Sequence, residues 1–304
     1  MRYYSLLGFI FIASACDTSR SLAQDTRQAW LYDIAYESTL VLGRVDLETI
    51  DVEKNLMVVA GKVRPEVKQQ AEVAASIAGG MATQLKNAGA NEIIFSVSAE
   101  NIFTEGAVVI PCRDTQSVAN LLQLAASQIP AEYGYTTHKG DGVVVLSGER
   151  TWQRFLDARV KPTNRENREL SRWRELLEPK AAQQWFAISV PIRLRDELVH
   201  LWPEAISIGS ATASPSQLVA DIVGVRGNLS AVENGVGEVY LTCKDDLAAD
   251  RTMSQVEALL EQITDDIEGV AVPKETVRRA GKTITLSWSN VEIGSFVSAL
   301  LNAM

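Results

Sequence analysis

The chain has 304 residues, 46% hydrophobic and 22% charged, with a formal net charge of −9 and a pI near 5.0. That composition suits one large globular domain or two medium ones. The acidic balance argues against general nucleic-acid binding, which needs a basic face to displace counterions.

The start reads as an export signal. "MRYYS" is a short, weakly positive lead, and "LLGFIFIASA" is an apolar run too short for a comfortable membrane span. Two processing sites compete. Cleavage after Ala23, behind the small residues Ser21 and Ala23, gives a signal peptide over 1–23. Alternatively "ASAC" is an imperfect lipobox, with Cys16 as the lipidated residue. A retained anchor is the third outcome. No later run is long and apolar enough to span a bilayer, so the predicted location is the periplasm or cell envelope, with or without a lipid anchor.

Two halves follow, and their features recur in order. In the first, 24–148, "STLVLGRVDLETI" (38–50) predicts a strand ending in a turn. Pro65 opens a long helix whose Val67, Ala71, Ala74, Ala78, Met81 and Leu85 fall on one face. Glycine in "NAG" (87–89) ends it. "EIIFSVSAE" (92–100) and "GAVVIPC" (106–112) predict a hairpin. Asp114 or Thr115 caps the next helix, striped by Val118, Leu121, Leu122, Ala125 and Ile129. "GVVVLSG" (142–148) is the last strand.

A charged stretch, 149–184, predicts a helical connector. Its acids interleave with its bases, and Arg165/Glu169 and Arg174/Glu178 stand four apart, as on a solvated, ion-paired helix. The second half, 185–304, opens on "WFAISVPI" (185–192) and a short helix, "RLRDELVHLW" (193–202). Segment 203–217 has no clear period and predicts an irregular loop. "DIVGVRGNLSAV" (221–232) and "GEVYLTC" (237–243) form a hairpin around "ENGVG". Met253, Val256, Leu260 and Ile263 stripe a helix, "KTITLSW" (282–288) is the last strand, and 290–304 is an apolar terminal helix.

Both halves contain a strand ending in cysteine, base and aspartate: "AVVIPCRD" (107–114) and "EVYLTCKD" (238–245). "HKGDGVVVLSG" (138–148) matches "RRAGKTITLSW" (278–288) in the same sense. The predicted fold class is therefore α+β, with tandem ferredoxin-like β-α-β-β-α-β halves and antiparallel sheets.

The segment "YESTLVLGRVDLETID", through Thr39, Val45, Asp46 and Leu47, resembles the start of uncharacterised exported proteins of planctomycete type. At the level of plan the resemblance covers most of 30–300. It implies export and a two-domain α+β layout, and it brings no activity and no catalytic residues.

The candidate sites are few. Cys112 and Cys243 each end a strand ahead of a helix. A helix N-terminus and the neighbouring Arg113 or Lys244 could activate a thiol. A pseudo-twofold could join the two cysteines in a disulfide. The plain alternative is a compact buried residue. His138, in "THKGDG", reads as a solvated turn residue, and His200 as packed or half-exposed beside Leu201 and Trp202. Neither has the neighbours that a metal site needs. "GKT" (281–283) lacks the first glycine of a phosphate loop and precedes a strand where a helix is required. There is no G-x-S-x-G elbow and no dinucleotide fingerprint. Asp245 and Asp246 read as helix-capping acids.

The expected function is that of an exported, non-catalytic protein, without cofactor or metal, acting on a protein or envelope partner. Open sheet edges make a homodimer a candidate assembly. The alternative is a small-ligand binder with a site between the halves, and Trp185, Arg193 and Trp202 are its candidate surface. A thiol-based enzyme is the third alternative.

Overall fold

A computed structural model describes residues 34–36, 38–48, 50–61, 65–99, 105–127, 129–160, 173, 185–201, 203–208, 211–228, 236–266 and 277–289. The predicted signal segment with Cys16, most of the predicted connector, Trp202, most of the "ENGVG" turn and the predicted terminal helix over 290–304 lie outside them.

The first half holds β1 (Thr39–Asp46), α1 (Val52–Ala60), α2 (Pro65–Asn87), β2 (Glu92–Ser98), β3 (Ala107–Pro111), α3 (Thr115–Ala126), β4 (Tyr135–Gly140) and β5 (Val143–Gly148). α4 (Glu149–Val160) follows without a break. The second half holds β6 (Trp185–Ile188), α5 (Ile192–Leu201), β7 (Ile206–Ile208), β8 (Ala211–Ala213), α6 (Pro215–Asp221), β9 (Ile222–Asn228), β10 (Val236–Cys243), α7 (Asp246–Asp266), β11 (Val277–Ala280) and β12 (Thr283–Ser289).

Ten strands form one antiparallel sheet in the order β11-β12-β10-β9-β6-β1-β2-β3-β5-β4, and β7 and β8 pair separately. The halves meet edge to edge through β1 and β6, with Gly43 opposite Phe186. Outward from that seam both sides repeat one order: first strand, hairpin, then a second hairpin that the chain enters by its outer, edge strand.

This order corrects the ferredoxin-like expectation. A split βαβ places the first two strands parallel, with a third between them. Here β1 and β2 are direct antiparallel neighbours. The cause is α1, which the sequence pattern did not reveal. One helix returns the chain to the end where the strand began, whereas the α1–α2 pair returns it to the other end. β4 and β11 were also unforeseen. Each forms a tight hairpin with the strand after it, turning through Gly142 (φ 67°) or Gly281 (φ 57°). Glycine takes that left-handed conformation without a Cβ clash. Segment 203–217, expected to be an irregular loop, contains the β7–β8 hairpin and the start of α6.

One face of the sheet, here the front, carries the paired helices. On it Val45, Ile110, Val144 and Leu146 bury against α1, α2 and α3, through Val52, Ala82, Leu85, Val118 and Leu122. α2 turns Ala75, Gly79, Ala82 and Leu85 inward, and Ala74, expected on that face, is exposed. At Gly79 a Cβ would come within 2.5 Å of the Glu53 Cβ, so α1 rests directly on α2. Asp114 caps α3, accepting from the Ser117 N–H at 3.0 Å. In the second half Leu241, Cys243, Ile284 and Leu286 pack on Ala248, Ala249, Met253, Val256 and Leu260 of α7.

Phe95, Gly43, Phe186 and Gly227 occupy one cross-strand row on the front. The Phe95 ring lies across Gly43 and the Phe186 ring across Gly227. A Cβ at either glycine would stand 2.1 or 2.2 Å from ring carbon. Each glycine thus supplies the space that its neighbour's ring fills.

Candidate binding face

The two cysteines occupy equivalent places. The Cys112 N–H donates to the Gly142 carbonyl at 3.0 Å, and the Cys243 N–H to the Lys282 carbonyl at 2.8 Å. Both thiols are free and buried. Their strands stand five steps apart in the sheet, roughly 24 Å at about 4.8 Å per step, so the disulfide expectation is corrected. Burial pushes the Cys112 thiol up to about 11, and the Asp114 charge adds to this. Burial also raises Cys243, against an opposing hydrogen bond from Thr252. The basic neighbours do not serve as activators. Arg113 lies over Gly89, and the Lys244 Nζ contacts Asp221 at 2.9 Å.

Asp221 is the polar centre that sequence reading missed. It closes α6, is fully buried, and accepts from Arg251 Nε at 3.0 Å and Nη2 at 2.8 Å. Burial pushes its carboxyl up, but hydrogen bonds from Arg251, Lys244 and Gln217 outweigh that and hold it below the usual range. Asp245 caps α7 through the Ala248 N–H at 2.7 Å, as expected. Arg279 contacts Asp246 and Asp250 beside it. The ion pairs of Asp221 with Arg251 and of Arg279 with Asp246 and Asp250 tie the end of α6 and β11 to α7.

The other expected residues do not converge. Trp185 opens β6 in register with Asn228 of β9, and Arg193 is the second residue of α5. His200 is exposed at the end of α5. His138 is not in a turn. It lies on β4, half-buried, its ring stacked on Trp152 at 4.6 Å, and Trp152 stacks in turn on Phe155. Burial lowers the His138 pKa, against Glu149 and a Ser147 backbone bond. Among the described residues no group of three His, Cys, Asp or Glu could hold a metal ion. No helix among them is long and apolar enough to cross a membrane.

The sharpest difference lies on the back of the sheet. In the first half Leu42, Ile94, Val109, Val143 and Val145 are buried there beneath Phe155 (1% exposed) and Trp173 (0%). Residues 149–160 and Trp173 therefore belong to a packed layer rather than a solvated connector. Glu105 clamps α4 through Arg150 at 2.7 Å and Arg154 at 3.6 Å.

In the second half the back-facing residues of β9, β10 and β12 are Gly224, Arg226 and Asn228, then Glu238, Tyr240 and Thr242, then Thr283, Thr285 and Ser287. None is aliphatic. One row runs from buried Leu42 and Ala187 straight into Arg226, Tyr240, Thr285 and Arg278. The Arg226 guanidinium sits over the Tyr240 ring, 4.3 Å from its centroid, and the Tyr240 hydroxyl donates to Glu238. Burial first, then Glu238, raises the Tyr240 pKa, so the phenol stays protonated. Asn228, Glu238, Tyr240, Thr242, Thr285 and Ser287 are all half-buried.

No family model, curated protein or solved structure matches this chain.

Proposed function

We propose that the protein is an exported, non-catalytic binding protein, and that the polar back face of its second half is the surface it binds with. The observation that carries this is the contrast between the halves. Among the described residues, the strand plan that is apolar and roofed by α4 on one side is polar and half-buried on the other. A face kept only for solvent is commonly covered by long, fully exposed lysines and glutamates. This one is built of Thr, Ser and Asn around a fixed Arg–Tyr–Glu group. Export is supported by the amino-terminal apolar run and by the resemblance carried on Thr39, Val45, Asp46 and Leu47. The buried cysteines, raised in pKa, weigh against thiol catalysis.

The test is retention of the mature protein on its native envelope fraction. Tyr240→Ala and Thr285→Glu should each lower retention at least tenfold while the melting temperature falls by no more than about 4 °C. Unchanged retention in both would remove the face from consideration. Recovery of the chain only from the cytoplasm would remove export.

A further inference from the structure

We infer that α2 carries an interaction surface of its own, and that its partner is a second copy of this chain, joined antiparallel along the outward side of the helix. This surface lies apart from the back face of the second half and does not depend on its assignment.

Spacing and exposure define the seam. α2 buries Ala75, Ala82 and Leu85. On its opposite side Gln70, Val73, Ile77, Gly80, Gln84 and Asn87 are all exposed, Val73 by 54% and Ile77 by 60%. Their alternating steps of three and four are the a and d spacing of a heptad, the pattern by which one helix meets another. Gly80 is a separate observation. Glycine in the middle of a helix weakens it relative to alanine. Gly79 has a reason within the chain, because a Cβ there would stand 2.5 Å from the Glu53 Cβ. Gly80 has none, since nothing lies within 4 Å of the place its Cβ would take. It leaves a hollow in the seam, open to a side chain from outside.

Self-complementarity selects the occupant. A twofold axis midway between positions 77 and 80 sets Ile77 against the partner's Gly80, Val73 against the partner's Gln84 and Gln70 against the partner's Asn87. Bulk then meets hollow, and amide meets amide. The six seam residues carry no charge, in a chain whose net charge of −9 opposes the approach of copies elsewhere. The bases of α2 are engaged off the seam: Lys68 stands 3.9 Å from Glu72, and the Lys86 Nζ donates to the Ile50 carbonyl at 3.0 Å. A polyanion or an anionic bilayer therefore finds no cation here. One helix pair is at the small end of specific interfaces, so the dimer is a concentration-dependent one of micromolar affinity.

The experiment is sedimentation velocity of the mature chain from about 1 to about 200 µM, which brackets such a dissociation constant. The wild-type chain should pass from monomer to dimer, and added salt should not weaken the dimer. Ile77→Glu and Gly80→Lys should each weaken it at least about tenfold by burying an unpaired charge. At the lowest concentration neither should lower the melting temperature, because both positions are exposed in the monomer and both new residues suit a helix better. The double variant Ile77→Glu/Gly80→Lys should regain the dimer, now salt-sensitive, because opposite charges face each other across the axis. A wild-type chain that stays monomeric throughout would overturn the inference; if Ile77→Glu then still lowers envelope retention, the stripe belongs to another partner. Dimers indifferent to both single variants would place the contact elsewhere, such as a sheet edge, and overturn it equally. Loss in both single variants without recovery in the double would overturn the antiparallel pairing.

Discussion

β5 and β12 occupy the same place in the two halves, each between a hairpin partner and the strand that ends in cysteine. β5 reads VVVLSG and is buried at every position. β12 reads TITLSWS, with Ile284 and Leu286 buried and Thr283, Thr285 and Ser287 only half so. A continuous apolar run marks a strand covered on both faces, and strict alternation marks one face in contact with water. The backbone plan is shared, while the pattern along one strand decides whether its back becomes core or surface. Among the described residues, what separates the halves is therefore three layers against two.

The comparison can be broken most forcefully at the roof of the first half. Phe155→Ala should cost about 3–5 kcal/mol in chemical denaturation, because the ring is enclosed by the back of the sheet and cannot be replaced by water without leaving a cavity. Its counterpart test, Tyr240→Ala, should cost about 1 kcal/mol or less. Equal costs would mean that the second back face is a core after all.

Arg251→Ala should lower the midpoint of chemical denaturation, since it strips two hydrogen bonds from the buried Asp221 carboxylate. The half-exposed guanidinium and the remaining Lys244 contact keep the loss below that of a fully buried pair. Asp221 is held below its ordinary pKa, so its contribution is present above about pH 4 and fades as pH falls through the folded value. Asp221→Asn should flatten that acid limb in a melting-temperature profile.

Gly43→Ala and Gly227→Ala should each cost about 1–3 kcal/mol by forcing a phenyl ring off the sheet. Because the ring is the obstacle, Phe95→Ala should absorb most of the Gly43→Ala cost in a double-mutant cycle. Additive costs would place the strain in the backbone instead.

The smallest effect concerns His138. Its folded pKa is depressed, so the unfolded chain binds the proton first, and stability falls as pH drops below about 6.5. His138→Gln should remove that slope, read as a change in melting temperature between pH 7.5 and 5.5. A slope that persists unchanged would assign it to other groups.

Much of the fold was legible in the residues. The recurrence of "PCRD" and "TCKD" located equivalent strand ends, and the cysteine backbone bonds to Gly142 and Lys282 match it. Pro65, Gly89, Asp114 and the α7 stripe marked real helix features. Topology was lost at α1, where "VEKNLMVVA" is short and directly precedes a stronger helix signal. β4 was hidden because "YTTHKG" is polar, as an outer strand with partial exposure can be. Asp221 could not be found by spacing, since its partners Lys244 and Arg251 are distant in sequence and meet only when β9 lies beside β10. The polar face was written in the alternation of "TITLS" and "EVYLT", but alternation alone does not tell solvent from ligand.

The seam between β1 and β6 has a consequence for how such a chain can exist at all. Each half ends its own sheet on a strand whose outer backbone groups are paired only because the other half supplies them. Cut apart, either half would present an unprotected, apolar ribbon edge, and the same antiparallel geometry would let it close on a copy of itself. The covalent link between the halves thus turns what would otherwise be a concentration-dependent assembly into a folding step within one molecule.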